Sequence, residues 1–160
     1  MSNNYTQFSS IINSLTAEEA AWWREFLRPA EDEELEGGKA LIKWLRARKI
    51  PAYYDDEPEF WPHFEYELKE TPDEKFLWFH SSETGNIDII AHAVKHFLKT
   101  FRPNQFFSLQ WADICSSLRA DEFGGGAIFV TAKSVSWMIS NDWIYKKQLA
   151  FQKRQESQGA

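Results

Sequence analysis

The chain has 160 residues, of which 43% are hydrophobic and 16% aromatic, and its formal net charge is −6. This length predicts a single domain over 1–160 that buries a core without disulfides, and the aromatic content excludes intrinsic disorder for the body of the chain. The lone cysteine, the lack of a leader pattern and the lack of an apolar stretch near the ~20 residues that span a bilayer predict a soluble cytoplasmic protein.

The acidic charge is concentrated in the first half of the sequence. Residues 1–80 contain 17 Asp and Glu against 9 Lys and Arg, a net charge of −8, whereas residues 81–160 contain 7 against 9, a net charge of +2. Because phosphate groups need cationic partners, this charge disfavours direct binding to nucleic acid. It is suited instead to a basic protein partner, which it attracts over long range.

A helical, acidic N-terminal region is predicted over residues 1–62. We expect residues 1–9 to be loosely ordered and a first helix to run over 10–27. Thr16 and Glu19 have the spacing of a capping box, in which each side chain caps the backbone of the other residue.

Two acidic runs in this region contain no lysine or arginine. Such runs repel each other in a compact chain, so they contribute nothing obvious to stability and are suited to steering a basic partner. Trp61 follows the second run, where its ring either contacts that partner or folds back as cover for the sheet. The predicted partner-binding residues are Glu31, Asp32, Glu33, Glu34, Glu36, Asp55, Asp56, Glu57, Glu59 and Trp61.

An α+β core is predicted over residues 63–155. The fold class is a four-stranded, mostly antiparallel sheet in ββαββα order, with the helices on one face. Alternation of apolar and polar residues predicts the first strand and short apolar runs predict the other three, whereas three- and four-residue spacing of apolar residues predicts the helices. In chain order these are strands over 63–70 and 75–81, a helix over 86–101, strands over 105–112 and 125–132, and a closing helix over 134–155.

His92 and His96 are four residues apart on the predicted central helix, which is half of a zinc-binding pattern. At about 100° per residue they lie opposite the apolar stripe of that helix, which predicts a solvated polar face. A metal centre would need a third ligand, such as His63, His80 or Cys115, brought in by the fold. We therefore predict no metal and no cofactor.

Gly124, Gly125 and Gly126 precede a predicted strand, whereas phosphate-binding loops follow a strand and begin a helix. The glycines predict a bulge or a close approach of two backbones, with an oxyanion-binding turn as the alternative. Cys115 has no histidine beside it in sequence and is predicted to be a structural thiol rather than a nucleophile. No catalytic residue is assigned.

Three segments resemble a set of small, uncharacterised acidic bacterial proteins that occur on plasmids, phages and other mobile elements. They are FLWFHSSETGN (76–86), KHFLKTFRP (95–103) and EFGGGAIFVTA (122–132). The resemblance covers about 64–145 and brings no activity, cofactor or site residue. It implies a setting in which small acidic proteins inhibit host systems that bind nucleic acid.

The hypothesis from the sequence is a non-enzymatic protein–protein interaction module. An anti-defence inhibitor or a DNA-mimic-like protein that binds a basic, nucleic-acid-binding partner would have this charge distribution. The alternative is an enzyme of unknown reaction, with a site near His92, His96 and the turn of Gly124 to Gly126.

Overall fold

The computed structural model describes residues 3–27, 47, 64–120 and 122–159. Over these residues the chain forms six strands and three helices. In chain order they are β1 (Asn4–Ile12), α1 (Ala17–Leu27), β2 (Glu65–Glu70), β3 (Lys75–Ser81), α2 (Ile87–Phe101), β4 (Phe106–Cys115), β5 (Gly124–Thr131), β6 (Val135–Ile139) and α3 (Ser140–Gln158).

All six strands belong to one antiparallel sheet with the order β2-β3-β1-β4-β5-β6. The central strand is β1, although it comes first in the sequence. Phe8 in β1 pairs with Ser81 in β3 on one side and with Trp111 in β4 on the other. The strand therefore joins the β2–β3 hairpin to the strands β4, β5 and β6, and β2 and β6 lie at the two edges.

One face of the sheet packs against α1 and α2, and this layer contains the core. Alternate residues of each strand point to the same face, and those buried here are Phe8, Ile12, Leu77, Phe79, Phe107, Leu109, Ile128 and Val130. Trp23 of α1 fills the space between sheet and helix, with ring centroids 5.7 Å from Phe79 and 5.3 Å from Phe97. Of the 26 aromatic side chains in the sequence, seven among the described residues are buried in this layer.

The central helix α2 agrees with its prediction. Ile87, Ile90, Val94 and Phe97 are all buried, as their spacing indicates. Asn86 caps the helix, because its side-chain oxygen accepts a hydrogen bond from the backbone N–H of Ile89 at 3.1 Å.

The prediction of a four-stranded sheet in ββαββα order is wrong, because the sheet has six strands. Residues 4–12 form β1 rather than a loose segment that leads into a helix, and α1 begins only at Ala17. In β1, Phe8 and Ile12 are buried while Gln7, Ser9 and Ile11 are exposed, which is the two-residue period of a strand. Residues 135–139, predicted as helix, form β6.

A polar cluster ties the two core helices to the turn after β1. Thr16 N–H donates to Glu19 Oε1 at 2.9 Å and Glu19 N–H donates to Thr16 Oγ1 at 3.1 Å, which confirms the predicted capping box. Arg102, just after α2, donates to Glu19 Oε2 at 2.6 Å and to the carbonyl oxygens of Asn13 and Ser14. The buried carboxylate therefore has a partner on each side.

The ion pair between Glu19 and Arg102 makes stability depend on pH. Burial raises the pKa of Glu19, but the hydrogen bonds from Arg102 and Thr16 and the positive charge of Arg102 together bring this pKa below its usual 4.5. The unfolded chain thus takes up the proton at a higher pH than the folded chain. The contribution of Glu19 to stability is complete above about 4.5 and is lost as the pH falls through the lower pKa of the folded state.

We predict that Arg102→Gln lowers the free energy of unfolding at neutral pH by about 3 kcal/mol, because it leaves a buried carboxylate without its charged partner. The loss becomes smaller below pH 4.5, where Glu19 takes up a proton. Urea denaturation at several pH values measures both effects. Arg24→Gln is the matched control, because Arg24 forms an exposed pair with Glu70 and should change stability little. Equal losses for the two variants would contradict the prediction.

Candidate functional site

The last helix, α3, projects from the sheet with its apolar side chains in solvent. None of its 19 residues is buried in the part of the chain that the structure describes. Its large exposed side chains are Trp143 (60% exposed), Ile144 (46%), Tyr145 (60%), Leu149 (39%) and Phe151 (61%). Helices in proteins gain most of their stability by packing an apolar face, so a surface of this kind is suited to binding another protein.

The exposed side chains of α3 lie on two sides of the helix. At about 100° per residue, Trp143, Ile144 and Phe151 share one side, and Tyr145 and Leu149 share another. The first side carries a shallow groove lined by Trp143, Ile144, Lys147, Gln148, Phe151 and Gln152. Lys147 Nζ lies 5.5 Å from the centroid of the Trp143 ring, so a cation borders the aromatic surface.

The edge strand β6 lies beside α3 and has an open row of backbone groups. Thr131 N–H donates to the Ser134 carbonyl at 2.9 Å in the turn between β5 and β6. Hydrogen-bonded pairs alternate along an antiparallel ladder, so Ser136 and Met138 bond to β5. The N–H and C=O groups of Val135 and Trp137 and the N–H of Ile139 point away from β5, where no other described strand lies. Ile139 is the N-cap of α3, so its carbonyl already accepts the first hydrogen bond of that helix.

The two edges of the sheet differ in charge. The edge strand β2 has the sequence EYELKE, with three glutamates and a lysine, whereas β6 has the sequence VSWMI and no charge. Charged side chains are a common means of keeping an edge strand from pairing with another chain. In β6, Trp137 is 41% exposed and Met138 is 55% exposed. The sheet is therefore protected by charge at one edge and apolar at the other.

The three glycines that begin β5, Gly124 to Gly126, support the edge at β6. A Cβ at Gly126 would lie 2.1 Å from the Met138 carbonyl oxygen and 2.7 Å from Trp111 Cη2, so two backbones and an indole meet there. The Trp111 ring also packs edge-to-face on Trp137, with centroids 6.0 Å apart. At Gly125, φ is +150° and a Cβ would lie 2.4 Å from the Trp111 carbonyl oxygen. The predicted close approach of two backbones is what the structure shows.

A polar cleft of about 260 Å³ opens at the N-terminal end of α2. It is lined by Thr6, Gly85, Asn86, Ile87, Asp88, Trp111, Asp113 and Trp137. Thr6 Oγ1 donates to Asp113 Oδ1 at 2.9 Å, and Trp111 Nε1–H donates to Asp113 Oδ2 at 3.2 Å. Both carboxylate oxygens are therefore occupied, and Asp113 holds Trp111 over the glycines of β5. No group of three or more His, Cys, Asp or Glu side chains suited to a metal ion occurs within the described ranges.

The predicted histidine pair lies on one side of the central helix α2. His92 and His96 are half-buried on α2, and His96 lies edge-on to Trp22 with ring centroids 6.4 Å apart. Burial lowers the pKa of His92; the charge of Asp88 opposes this shift and that of Lys95 adds to it. The cleft that Gly124 lines contains neither histidine. The enzymatic alternative therefore stays a prediction.

Cys115 is the last residue of β4 and is a buried free thiol. His80 lies on the face of the sheet opposite α1 and α2, stacked on Trp78 with ring centroids 4.0 Å apart. His63 lies outside the described residues, as do both acidic runs and Trp61. The predicted partner-binding residues therefore stay a prediction.

The exposed surface of β6 and α3 was not predicted from the sequence. The sequence predicts one closing helix over 134–155 that packs on a face of the sheet. A signal against that assignment is present in the sequence: residues 143, 144, 145, 149 and 151 do not keep to one side of a helix, as a core helix requires.

We predict that Gly126→Ala lowers the free energy of unfolding by about 2 kcal/mol, because the methyl group meets backbone and an indole that have no room to move. Gly124→Ala is the matched control. A Cβ at Gly124 meets only the side-chain amide of Asn141, at 3.1 Å, which is free to rotate away. Thermal or urea denaturation of both variants measures the difference, and a greater loss for Gly124→Ala would contradict the prediction.

No helix in the described part of the chain has the length and apolar character needed to cross a membrane. Comparison of the chain with protein-family models, curated proteins and solved structures finds no match. The resemblance to proteins of mobile elements therefore stays a prediction, and the functional proposals below depend on the geometry of the chain itself.

Proposed function

We propose that this chain is a protein–protein interaction module and that α3 is its main binding element. The observation that carries this proposal is the exposure of Trp143, Tyr145 and Phe151 on a helix with no buried residue in the described part of the chain. Trp and Tyr are among the residues that contribute most to binding at protein interfaces. A helix that presents such residues fits an apolar groove on a partner.

The charge distribution supports a basic partner. In the described part of the acidic half, residues 64–81 contain five Asp and Glu against two Lys, and they form the edge of the sheet opposite β6. Attraction by the acidic half raises the rate of encounter with a basic surface, whereas α3, which contains four Lys and Arg against two Asp and Glu, supplies apolar contact area. A basic, nucleic-acid-binding protein fits this description, so we propose an anti-defence inhibitor or a DNA-mimic-like protein as the form of the module.

The enzymatic alternative gains no support from the geometry. Its residues were His92, His96 and the turn of Gly124 to Gly126. The space beside Gly126 is filled by the Trp111 ring and the backbone of β6, and neither histidine lines the cleft at Gly124.

Photo-crosslinking in the native host tests the proposed function. We expect a benzophenone amino acid at Phe151 to give discrete adducts with another protein, because this side chain is 61% exposed on α3. The matched control carries the same probe at Phe106, which is 64% exposed on the face of the sheet opposite α1 and α2. Two results would contradict the proposal: a probe at Phe151 that crosslinks to no protein other than this chain, or the same adducts from both probe positions.

A further inference from the structure

We propose that the edge of β6 pairs with the β6 edge of a second copy of this chain, giving a two-fold symmetric dimer with one continuous sheet. This inference goes beyond the proposed function, since it concerns the edge strand and not the partner of α3. It is carried by the open backbone row, by the lack of charge on β6 and by the register that two-fold symmetry imposes.

The backbone of β6 is complementary to itself. A two-fold axis perpendicular to the sheet pairs the strands antiparallel and keeps each face of the sheet continuous. When Trp137 lies opposite Trp137 of the second copy, Val135 lies opposite Ile139 of the second copy. The outward N–H groups of all three residues then have acceptors, and the Ile139 carbonyl, which already accepts the first bond of α3, uses its second lone pair for Val135 of the second copy. A shift of the register by two residues leaves one end of β6 unpaired.

The side chains agree with this register. On the helix-bearing face, Val135, Trp137 and Ile139 form an apolar row that the symmetry axis continues into the second copy. On the opposite face, Ser136 lies across from Met138 of the second copy, and no like charges meet. Self-pairing of β2 would instead bring its glutamates together, which is unfavourable. The observations thus select β6 and a second copy of the same strand.

The available area is that of a modest dimer. Trp137 and Met138 are 41% and 55% exposed, which is on the order of 200 Å² of apolar surface per copy for side chains of about 200 Å². A standard interface uses about 800 Å² per partner, of which roughly 450 Å² is non-polar. The dimer is therefore expected to dissociate in the micromolar range. Phe151 lies about 16 Å beyond the start of α3, which leaves it free for a different partner.

Sedimentation velocity of the purified chain over a wide range of concentration tests the proposal. We expect a monomer–dimer equilibrium that Met138→Lys weakens about tenfold, because it places a solvated charge at the pairing edge. Phe129→Lys is the matched control. It adds the same charge to the same face of the sheet on β5, where Phe129 is 45% exposed but away from the edge, and it should leave the dissociation constant unchanged. Thermal unfolding confirms that both variants are folded.

A charge pair tests the register separately from the existence of the dimer. In the double variant Ser136→Glu/Met138→Lys, the new charges of the two copies lie opposite each other, so dimer affinity should return to within about threefold of the original. A chain that stays monomeric at every concentration overturns the proposal, as does a dimer that Met138→Lys weakens no more than Phe129→Lys does. A double variant as weak as Met138→Lys overturns the register. The purified chain contains no other protein, so these outcomes leave the proposed function of α3 to its own test.

Discussion

Hydrogen bonding at the edges of an open sheet is the constraint on which this structure depends. Every interior strand has a neighbour on both sides, and β1 provides this for both halves of the sheet by pairing with β3 and β4. The two edge strands need another solution, since unpaired backbone groups attract other chains. At the edge formed by β2, the charged glutamates and lysine keep other chains from pairing. The edge strand β6 has neither charge nor proline.

The rest of the architecture sets where that apolar edge lies. The helices α1 and α2 cover one face of the sheet, and the contact between Arg102 and Glu19 fixes the end of α2 against the start of α1. The glycines at the start of β5 allow the Met138 backbone and the Trp111 indole to approach this strand closely. This close approach places Trp137 at the boundary of the core. Beyond that boundary, α3 continues without cover in the described part of the chain. The candidate interaction surface is thus where the core ends.

Local signals predicted the elements that carry them. The spacing of apolar residues in α2, the capping box of Thr16 and Glu19, the alternation in β2 and the apolar run of β3 were each sufficient to place their element. The strand β1 was missed because Thr6 and Ser10, which share a face with Phe8, are polar and dilute the alternation. The strand β6 was missed because α3 follows it with no residue between them. The apolar residues of the strand and of the helix were therefore predicted to belong to one helix.

The candidate site was harder to predict than the core, for a physical reason. Whether Trp137 lies at an edge depends on the order of the strands, which is set by pairing over long sequence distances and not by local periodicity. The acidic residues that the sequence singled out are outside the described residues, and their proposed role rests on charge alone. The interaction surface proposed from the structure is different, because it is formed by β6 and α3.

Amide hydrogen exchange at high and low protein concentration tests the central claim, that β6 is an unsatisfied edge which a second copy completes. The amides of Ser136 and Met138 point toward β5, so they should be protected at both concentrations, whereas those of Val135, Trp137 and Ile139 should be protected only at high concentration. Loss of protection at Trp137 on dilution is the predicted result. An exchange rate at Trp137 that does not change with concentration would contradict the account.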